Sequence, residues 1–490
     1  MEVSERIRSV IETDPDANIM EWRGKWWKRS AFAKFAKALS AELARLGVEK
    51  DMAVAAAMRN RPNHCFAMLT LLAEERPVSA LYAYQAAESL ARDIVNTSFA
   101  VLIADEDEWT PTLAEAAKQT GTPAIILGAL PEDGFRTVEP SRRGDLGKVL
   151  RQPSSGVEIL SSGTTGLPKR IFHPAERLFR SLRGMLPKPQ TEPDVVFWAM
   201  GGIGGTLNLV TAMWRGVPFV LLEKFTAEGM ADAIKRHNLS AVSLTPTMVR
   251  MMYDANIMPE DVPSLKAISG GSGALDPELQ DKMEERFGFP IIWQMGATEF
   301  CGTIISWSHD LRKQFPTEKR GSTGKVLPGC QVRIVDPETD VDLPAGSVGQ
   351  MLVQADAVGP EWIRTTDLAM VDEDGFVFMK GRADNAINRG GFKIVPEKVC
   401  ETLRMHPDVG EAAVVGFPDD RLGEVPVAMV EARPGTHPSA DELEKHLRGH
   451  LASPQIPVRF FVVEKLPYTA STKVHIAEVR RLVAERMKEG

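Results

Sequence analysis

Apolar residues recur at helical spacing early in the chain: Phe32, Phe35, Leu39, Leu43 and Leu46 follow Ser30, and Gly47 ends the run. Positions three or four apart share one helix face, so the stretch predicts an amphipathic helix capped by Ser30 and stopped by Gly47. Short β-rich runs then alternate with helical stretches, at residues 100–104, 124–127, 217–222, 241–244, 266–269 and 290–293. Parallel strands need a crossover, and an intervening helix supplies it, so the alternation predicts an α/β architecture with largely parallel sheets. From about Gly321 the pattern tightens to closely spaced strands with turn signals, at 331–335, 350–353 and 375–379. That stretch predicts a small β-rich subdomain. After Arg382 a last segment carries its own alternation and is long enough for a small α+β domain.

Length and charge narrow the classes. At 490 residues the chain exceeds what one core usually serves, so two or more domains are expected. The net charge of -8 argues against a nucleic-acid partner, since phosphate-backbone binding is driven by Lys and Arg. A local basic pocket for one nucleotide stays compatible with it. Cys65, Cys301, Cys330 and Cys400 are far apart and show no ligand spacing, so structural zinc is not expected. The first residues are charged and no apolar run reaches membrane-spanning length, so a cytoplasmic protein without a membrane span is the expectation.

Glu158-Ile159-Leu160 reads as a strand running into Ser161-Ser162-Gly163-Thr164-Thr165-Gly166-Leu167-Pro168-Lys169. Such a loop suits a phosphate chain. Glycines let backbone N–H groups approach the oxygens, hydroxyls donate further bonds, and lysine brings point charge. It is not a Walker A loop, which sets glycine directly before lysine where this chain has Pro168. Taken alone, it also reads as a Ser/Gly surface turn.

The loop closely resembles the signature of the adenylate-forming superfamily, which includes acyl-CoA synthetases, nonribosomal-peptide adenylation domains and luciferases. Four further stretches follow in that superfamily's order. Gly296-Ala297-Thr298-Glu299 is similar to Gly-x-Thr-Glu, and Thr365-Thr366-Asp367 to Thr-Gly-Asp. Gly381-Arg382-Ala383-Asp384, with Gly390-Gly391 and Pro396 behind it, is similar to Gly-Arg-x-Asp. Leu466-Pro467 through Ser471-Thr472-Lys473 is similar to the terminal Pro…Gly-Lys element.

The resemblance implies a large N-terminal domain at 1–383, with 321–383 as its β-rich part, a hinge at Asp384 and a lid domain at 385–490. It implies ATP, Mg²⁺ and coenzyme A. A carboxylate would attack the α-phosphorus of ATP, release pyrophosphate, and pass on from the acyl-adenylate to a second nucleophile. Ser161, Ser162, Gly163, Thr164, Thr165, Gly166 and Lys169 would hold the phosphates. Gly270, Gly271, Ser272, Met295, Gly296 and Thr298 would line the nucleotide, and Asp367 with Arg382 would meet the ribose. A carboxylate suits that place because a vicinal diol offers two donors. Glu299 would bind Mg²⁺, a hard cation that prefers oxygen ligands. Lys473 would reach from the lid to the reacting carboxylate and α-phosphate and stabilise the charge developing there. Thr165, Glu299 and Lys473 form the implied catalytic set.

Departures from the pattern bear on substrate and acceptor. Met295 stands where an aromatic residue often precedes Gly-x-Thr-Glu, Thr366 and Thr472 replace glycines, and Arg170 follows the loop lysine in place of glycine. The His-x-x-Gly element of many members is absent; the chain reads Trp198-Ala199-Met200-Gly201-Gly202-Ile203-Gly204-Gly205. The segment from Gln350 to Thr365 is short, and the lid helix carries Lys398 and Cys400 where carboxylates are common. Trp198, Met200, Gly201, Gly271, Gly273, Trp293 and Met295, neighbours of the adenylate motifs, are the candidate acid pocket and point to an apolar small-molecule acid, aromatic acids included. Coenzyme A is the expected acceptor, with an amine (an amide-forming ligase) as the alternative. A nucleotide-binding protein without turnover is a third reading, opposed by the intact Lys169, Glu299, Asp367, Arg382 and Lys473. A homodimer is open to such a chain.

Overall fold

The computed structural model describes residues 2–83, 87–161, 169–182, 192–273, 275–382, 385–389, 392–419, 422–451, 453–469 and 472–489. The early amphipathic run forms the helix Arg29–Arg45, with Phe32, Phe35, Leu39 and Leu43 buried. Ser30 is not its cap. Lys28 holds the N-cap position without a side-chain bond, and Ser30 lies inside the first turn. Phe32 and Phe35 pack on Phe66 of the buried helix Pro62–Ala73, tilted and edge-on, with ring centroids 4.8 and 5.9 Å apart.

The first sheet has five parallel strands, Ala124–Leu127, Val101–Asp105, Val54–Met58, Pro77–Tyr82 and Gly156–Ser161, in that order. Antiparallel strands close both edges, and one of them, Lys169–Pro174, pairs with Gly156–Ser161. The central strand is buried throughout, which is why Val-Ala-Ala-Ala-Met shows no polar alternation. A small sheet joins Asp194–Val196, Phe219–Leu221, Asn18–Trp22 and Lys25–Lys28.

The next sheet begins with parallel strands Ala241–Leu244, Ala267–Gly270 and Ile291–Ala297. The strand expected at 290–293 thus runs on to Ala297, and the one expected at 217–222 shortens to Phe219–Leu221. The β-rich stretch after Gly321 joins this sheet. Gly324–Val326 pairs with Gly302–Ser306 on one side and Phe376–Arg382 on the other. Nine strands are therefore continuous among the described residues. This continuity puts the Thr298–Glu299 turn and the Asp367/Arg382 pair on one sheet.

Beyond residue 385, Gly423–Ala432 lies between Val409–Asp419 and Arg459–Val463. One core beside this sheet gathers Val399, Leu403, Leu443 and Leu447, and another gathers Leu466, Val479 and Val483. The architecture is thus mixed α/β, a large N-terminal part with a small C-terminal part. Among the described residues no helix is long and apolar enough to cross a membrane.

Candidate active site

Ala267–Gly270 ends where three strands crowd together. A Cβ on Gly270 would lie 2.0 Å from the Leu244 carbonyl oxygen and 2.5 Å from the Trp293 ring. One on Gly271 would lie 2.5 Å from the Gln294 oxygen, so neither position admits a side chain without moving backbone. Trp293 Nε1 donates to the Gly273 carbonyl at 2.9 Å and pins the loop. Trp293 and Met200 are buried, and Met200 Sδ lies 3.6 Å from Cys65 Sγ. Trp198, Gly273 and Met295 keep accessible surface, while Gly201 and Gly271 are buried.

Ile291–Ala297 passes into the 3-10 turn Thr298–Phe300, which carries Glu299 half-buried. Behind the turn lies His173, fully buried on Lys169–Pro174. Neither ring nitrogen is in hydrogen-bonding geometry with a partner. Burial above all, with Arg177, holds this imidazole at about 4; the Thr298 main chain only partly opposes them. His173 is therefore neutral at ordinary pH.

Asp367 sits directly opposite Arg382 in the antiparallel pair of strands Gly359–Val371 and Phe376–Arg382. The Arg382 guanidinium donates to the Thr366 hydroxyl, and Asp367 N–H donates to Thr365 Oγ1 at 3.0 Å. Thr366, a glycine in the resembled pattern, thus gains a use: it holds the arginine. Gly381, at φ 110°, lets the helix Pro396–Arg404 approach. A Cβ there would meet Glu397 Oε2 and Val395 Cγ1 at 2.7 Å. Burial raises the Glu397 carboxyl above the usual range.

Lys473 comes to this place from the C-terminal part. Its side chain is accessible, yet the surrounding protein lowers its pKa by desolvation, and Arg382 lowers it further; Asp367 and Glu299 oppose both. Arg382, Asp367 and Glu299, from three separate elements, are therefore near enough to act electrostatically on Lys473. The hairpin bearing Lys473 rests on the helix Pro246–Asp254: Thr245 and Thr472 hydroxyls lie 3.0 Å apart, and Thr247 Oγ1 donates to the Thr472 carbonyl at 2.6 Å.

Ser162, Gly163, Thr164, Thr165, Gly166, Asp384, Gly390 and Gly391 lie outside the described residues. Ser161 and Lys169 face one another at the ends of their paired strands. Arg170 pairs with buried Glu158 at 2.7 Å, which accounts for an arginine in place of glycine. Ser272, at φ 75°, follows the two glycines, and Gly296 is pressed against the Gly302 carbonyl, 2.3 Å from where a Cβ would lie.

Thr245, Thr247 and His173 were not singled out in the sequence. Thr245-Pro246 is a helix-start signature, and Thr245 does cap its helix, but its second partner is distant in the chain. Asn60 is another such residue. It donates to the Trp198 carbonyl at 3.0 Å and accepts from Met200 N–H at 3.1 Å, fixing the Trp198–Met200 segment. Nearby, His64, Asp105 and Glu108 are buried and close enough to hold a metal ion. Arg59 and Arg61 already engage their carboxylates, so the positive charge is supplied by the protein.

A model of the AMP-binding enzyme family matches residues 7–361, and one of the AMP-binding enzyme C-terminal domain matches 399–473. The chain is 30% identical over 389 residues to an indoleacetate–CoA ligase of Aromatoleum aromaticum, covering 74% of this chain and 75% of that protein. It is 26% identical over 483 residues to 4-coumarate–CoA ligase 3 of Oryza sativa, covering 91% and 85%. The o-succinylbenzoate CoA synthetase of Bacillus subtilis, solved with its acyl-adenylate, superposes with a TM-score of 0.80 at 22% identity over 97% of both chains.

Proposed function

The chain belongs to the AMP-binding enzyme family, and from that footing we propose that the cleft shared by Glu299, Asp367, Arg382 and Lys473 is its adenylating centre. The enzyme activates a carboxylic acid through an acyl-adenylate at the expense of ATP, and then forms an acyl-CoA. The hydrogen bonds that seat the Lys473 hairpin on Thr245 and Thr247, with the electrostatic influence of Arg382, Asp367 and Glu299 on Lys473, carry the assignment of the centre.

In the first half-reaction a substrate carboxylate oxygen bonds to the α-phosphorus of ATP, and pyrophosphate leaves with the electron pair of the broken P–O bond. Lys473 lies beside the carboxylates and meets the negative charge that gathers on the entering and α-phosphate oxygens. Asp367 accepts from the ribose hydroxyls, with Arg382 held beside it by Thr366. Ser161 to Lys169 hold the phosphates. The Glu299 carboxylate on its short turn is a hard oxygen donor facing the same cleft as Lys473, which fits Mg²⁺; when bound, the ion neutralises phosphate charge. In the second half-reaction the thiol sulfur bonds to the acyl carbon, AMP leaves, and the thiol proton passes to solvent. Residues 385–490 act as a lid that turns about Asp384 between the two steps.

The acid is apolar or aromatic, seated against Trp198, Gly201, Gly271, Gly273 and Met295, with Trp293 and Met200 packed behind. The indoleacetate and 4-coumarate named for the two relatives support that class. Acid-dependent exchange of labelled pyrophosphate into ATP, without CoA, tests the first half-reaction. No exchange with any aryl or apolar acid would count against this reading.

A further inference from the structure

The loop bearing Lys473 is held more tightly than a surface hairpin needs. Tyr468 and Val474 pair across it, Thr469 N–H donates to the Lys473 carbonyl at 2.7 Å, and Lys473 N–H donates to Thr469 Oγ1 at 3.1 Å. Leu466 N–H and the Tyr468 hydroxyl both donate to Glu431, at 2.7 and 3.1 Å. The hairpin therefore moves as a unit, and what seats Thr472 also seats Lys473.

Thr472 has φ +59°, a conformation that a β-branched residue seldom adopts and that glycine adopts freely. A threonine at this position is locally unfavourable unless its side chain is used. It is used across the cleft. Thr245 Oγ1 accepts from Met248 N–H at 3.3 Å and also lies in hydrogen-bonding distance of Thr472 Oγ1, at 3.0 Å. Thr247 Oγ1 donates to the Thr472 carbonyl at 2.6 Å. Both contacts join the hairpin to the start of Pro246–Asp254, so both break when the C-terminal part turns away.

We propose that Thr472 is a positioning residue, a latch whose hydroxyl seats Lys473 over the adenylating centre and favours the adenylate-forming arrangement over the acyl-transferring one. This rests on the lid reading given above. The variants Thr472→Val, Thr472→Gly and Thr472→Ser in the full chain separate shape, backbone and hydroxyl. Thr472→Val and Thr472→Gly should slow single-turnover pyrophosphate release about three- to tenfold, the worth of one hydrogen bond. Conversion of preformed acyl-AMP to thioester should stay at the parent rate or rise, and Thr472→Ser should restore adenylation. A Thr472→Val enzyme that matches the parent in both half-reactions, or loses both equally, overturns the latch, as does a Thr472→Gly enzyme that adenylates faster than the parent.

Closure is also read without turnover, by energy transfer between dyes on non-natural residues at exposed Glu260 and Lys445 with α,β-methylene-ATP. A smaller closed fraction in Thr472→Val supports the latch, and an unchanged fraction overturns it. If the parent closes but exchanges no pyrophosphate with any acid, the functional reading fails and the closure data alone judge the latch.

Discussion

Replacing His173 with leucine should remove a specific part of the enzyme's acid sensitivity. The imidazole is fully buried, has no hydrogen-bond partner at either nitrogen, and is held at about 4. In the unfolded chain it titrates near 6.5. Between those values the unfolded state binds the extra proton, so stability rises with pH. His173 therefore gives its full contribution above about 6.5 and loses it as the pH falls toward 4. The complete span is worth about 3 kcal/mol, of which about 2 kcal/mol is already lost at pH 5. Leucine is apolar and close in volume, and it gives up only the weak pull of the Thr298 main chain on the ring. Urea denaturation at pH 7.5 and 5.0 for parent and His173→Leu isolates the effect, because the carboxylates are common to both. The parent should lose about 2 kcal/mol more than the variant over this interval. Equal losses in parent and variant would refute the assignment of a neutral buried imidazole.

Lys473→Ala should slow acid-dependent pyrophosphate release by about 10²- to 10³-fold, the cost of removing one preorganised charge-stabilising donor, while preformed acyl-AMP still reacts with CoA. In the parent the adenylation rate should fall as rising pH deprotonates Lys473, with a midpoint below that of an ordinary lysine because desolvation and Arg382 lower its pKa. Equal loss of both half-reactions in a folded Lys473→Ala protein would contradict this role. Asp367→Ala should weaken ATP binding by about 1.5–3 kcal/mol, roughly 10- to 150-fold, as charge-assisted bonds to the ribose are lost. Calorimetry showing parental ATP affinity would remove Asp367 from the nucleotide site.

The strand and helix alternation was legible because buried parallel strands are short apolar runs that need no polar face. The start of the first amphipathic helix was not. Serine is a good cap former, but here it falls inside the first turn and Lys28 takes the cap position with no side-chain bond. The motif at 296–299 was readable as residues, while its origin inside a strand ending at Ala297 depends on pairing with Gly302–Ser306. Register is equally invisible in the chain: Asp367 opposes Arg382 only because one hairpin, with a local irregularity at Leu368, sets them so. In the sequence alone Thr472 reads only as a missing glycine. Its use depends on Thr245 and Thr247, which no local pattern links to it. His173 gave no signal, since a single histidine on a short strand has no spacing to interpret.

The central claim is acid activation followed by transfer to coenzyme A. Pyrophosphate release measured across a panel of aryl, alkyl and dicarboxylic acids, with and without CoA and with thioester detected by mass, tests it most directly. The account predicts release that requires an aryl or apolar acid, one enzyme equivalent at most as a burst without CoA, and sustained turnover with a matching acyl-CoA product when CoA is present. Sustained turnover with an amine but none with CoA, or ATP binding with no acid-dependent release at all, would contradict it.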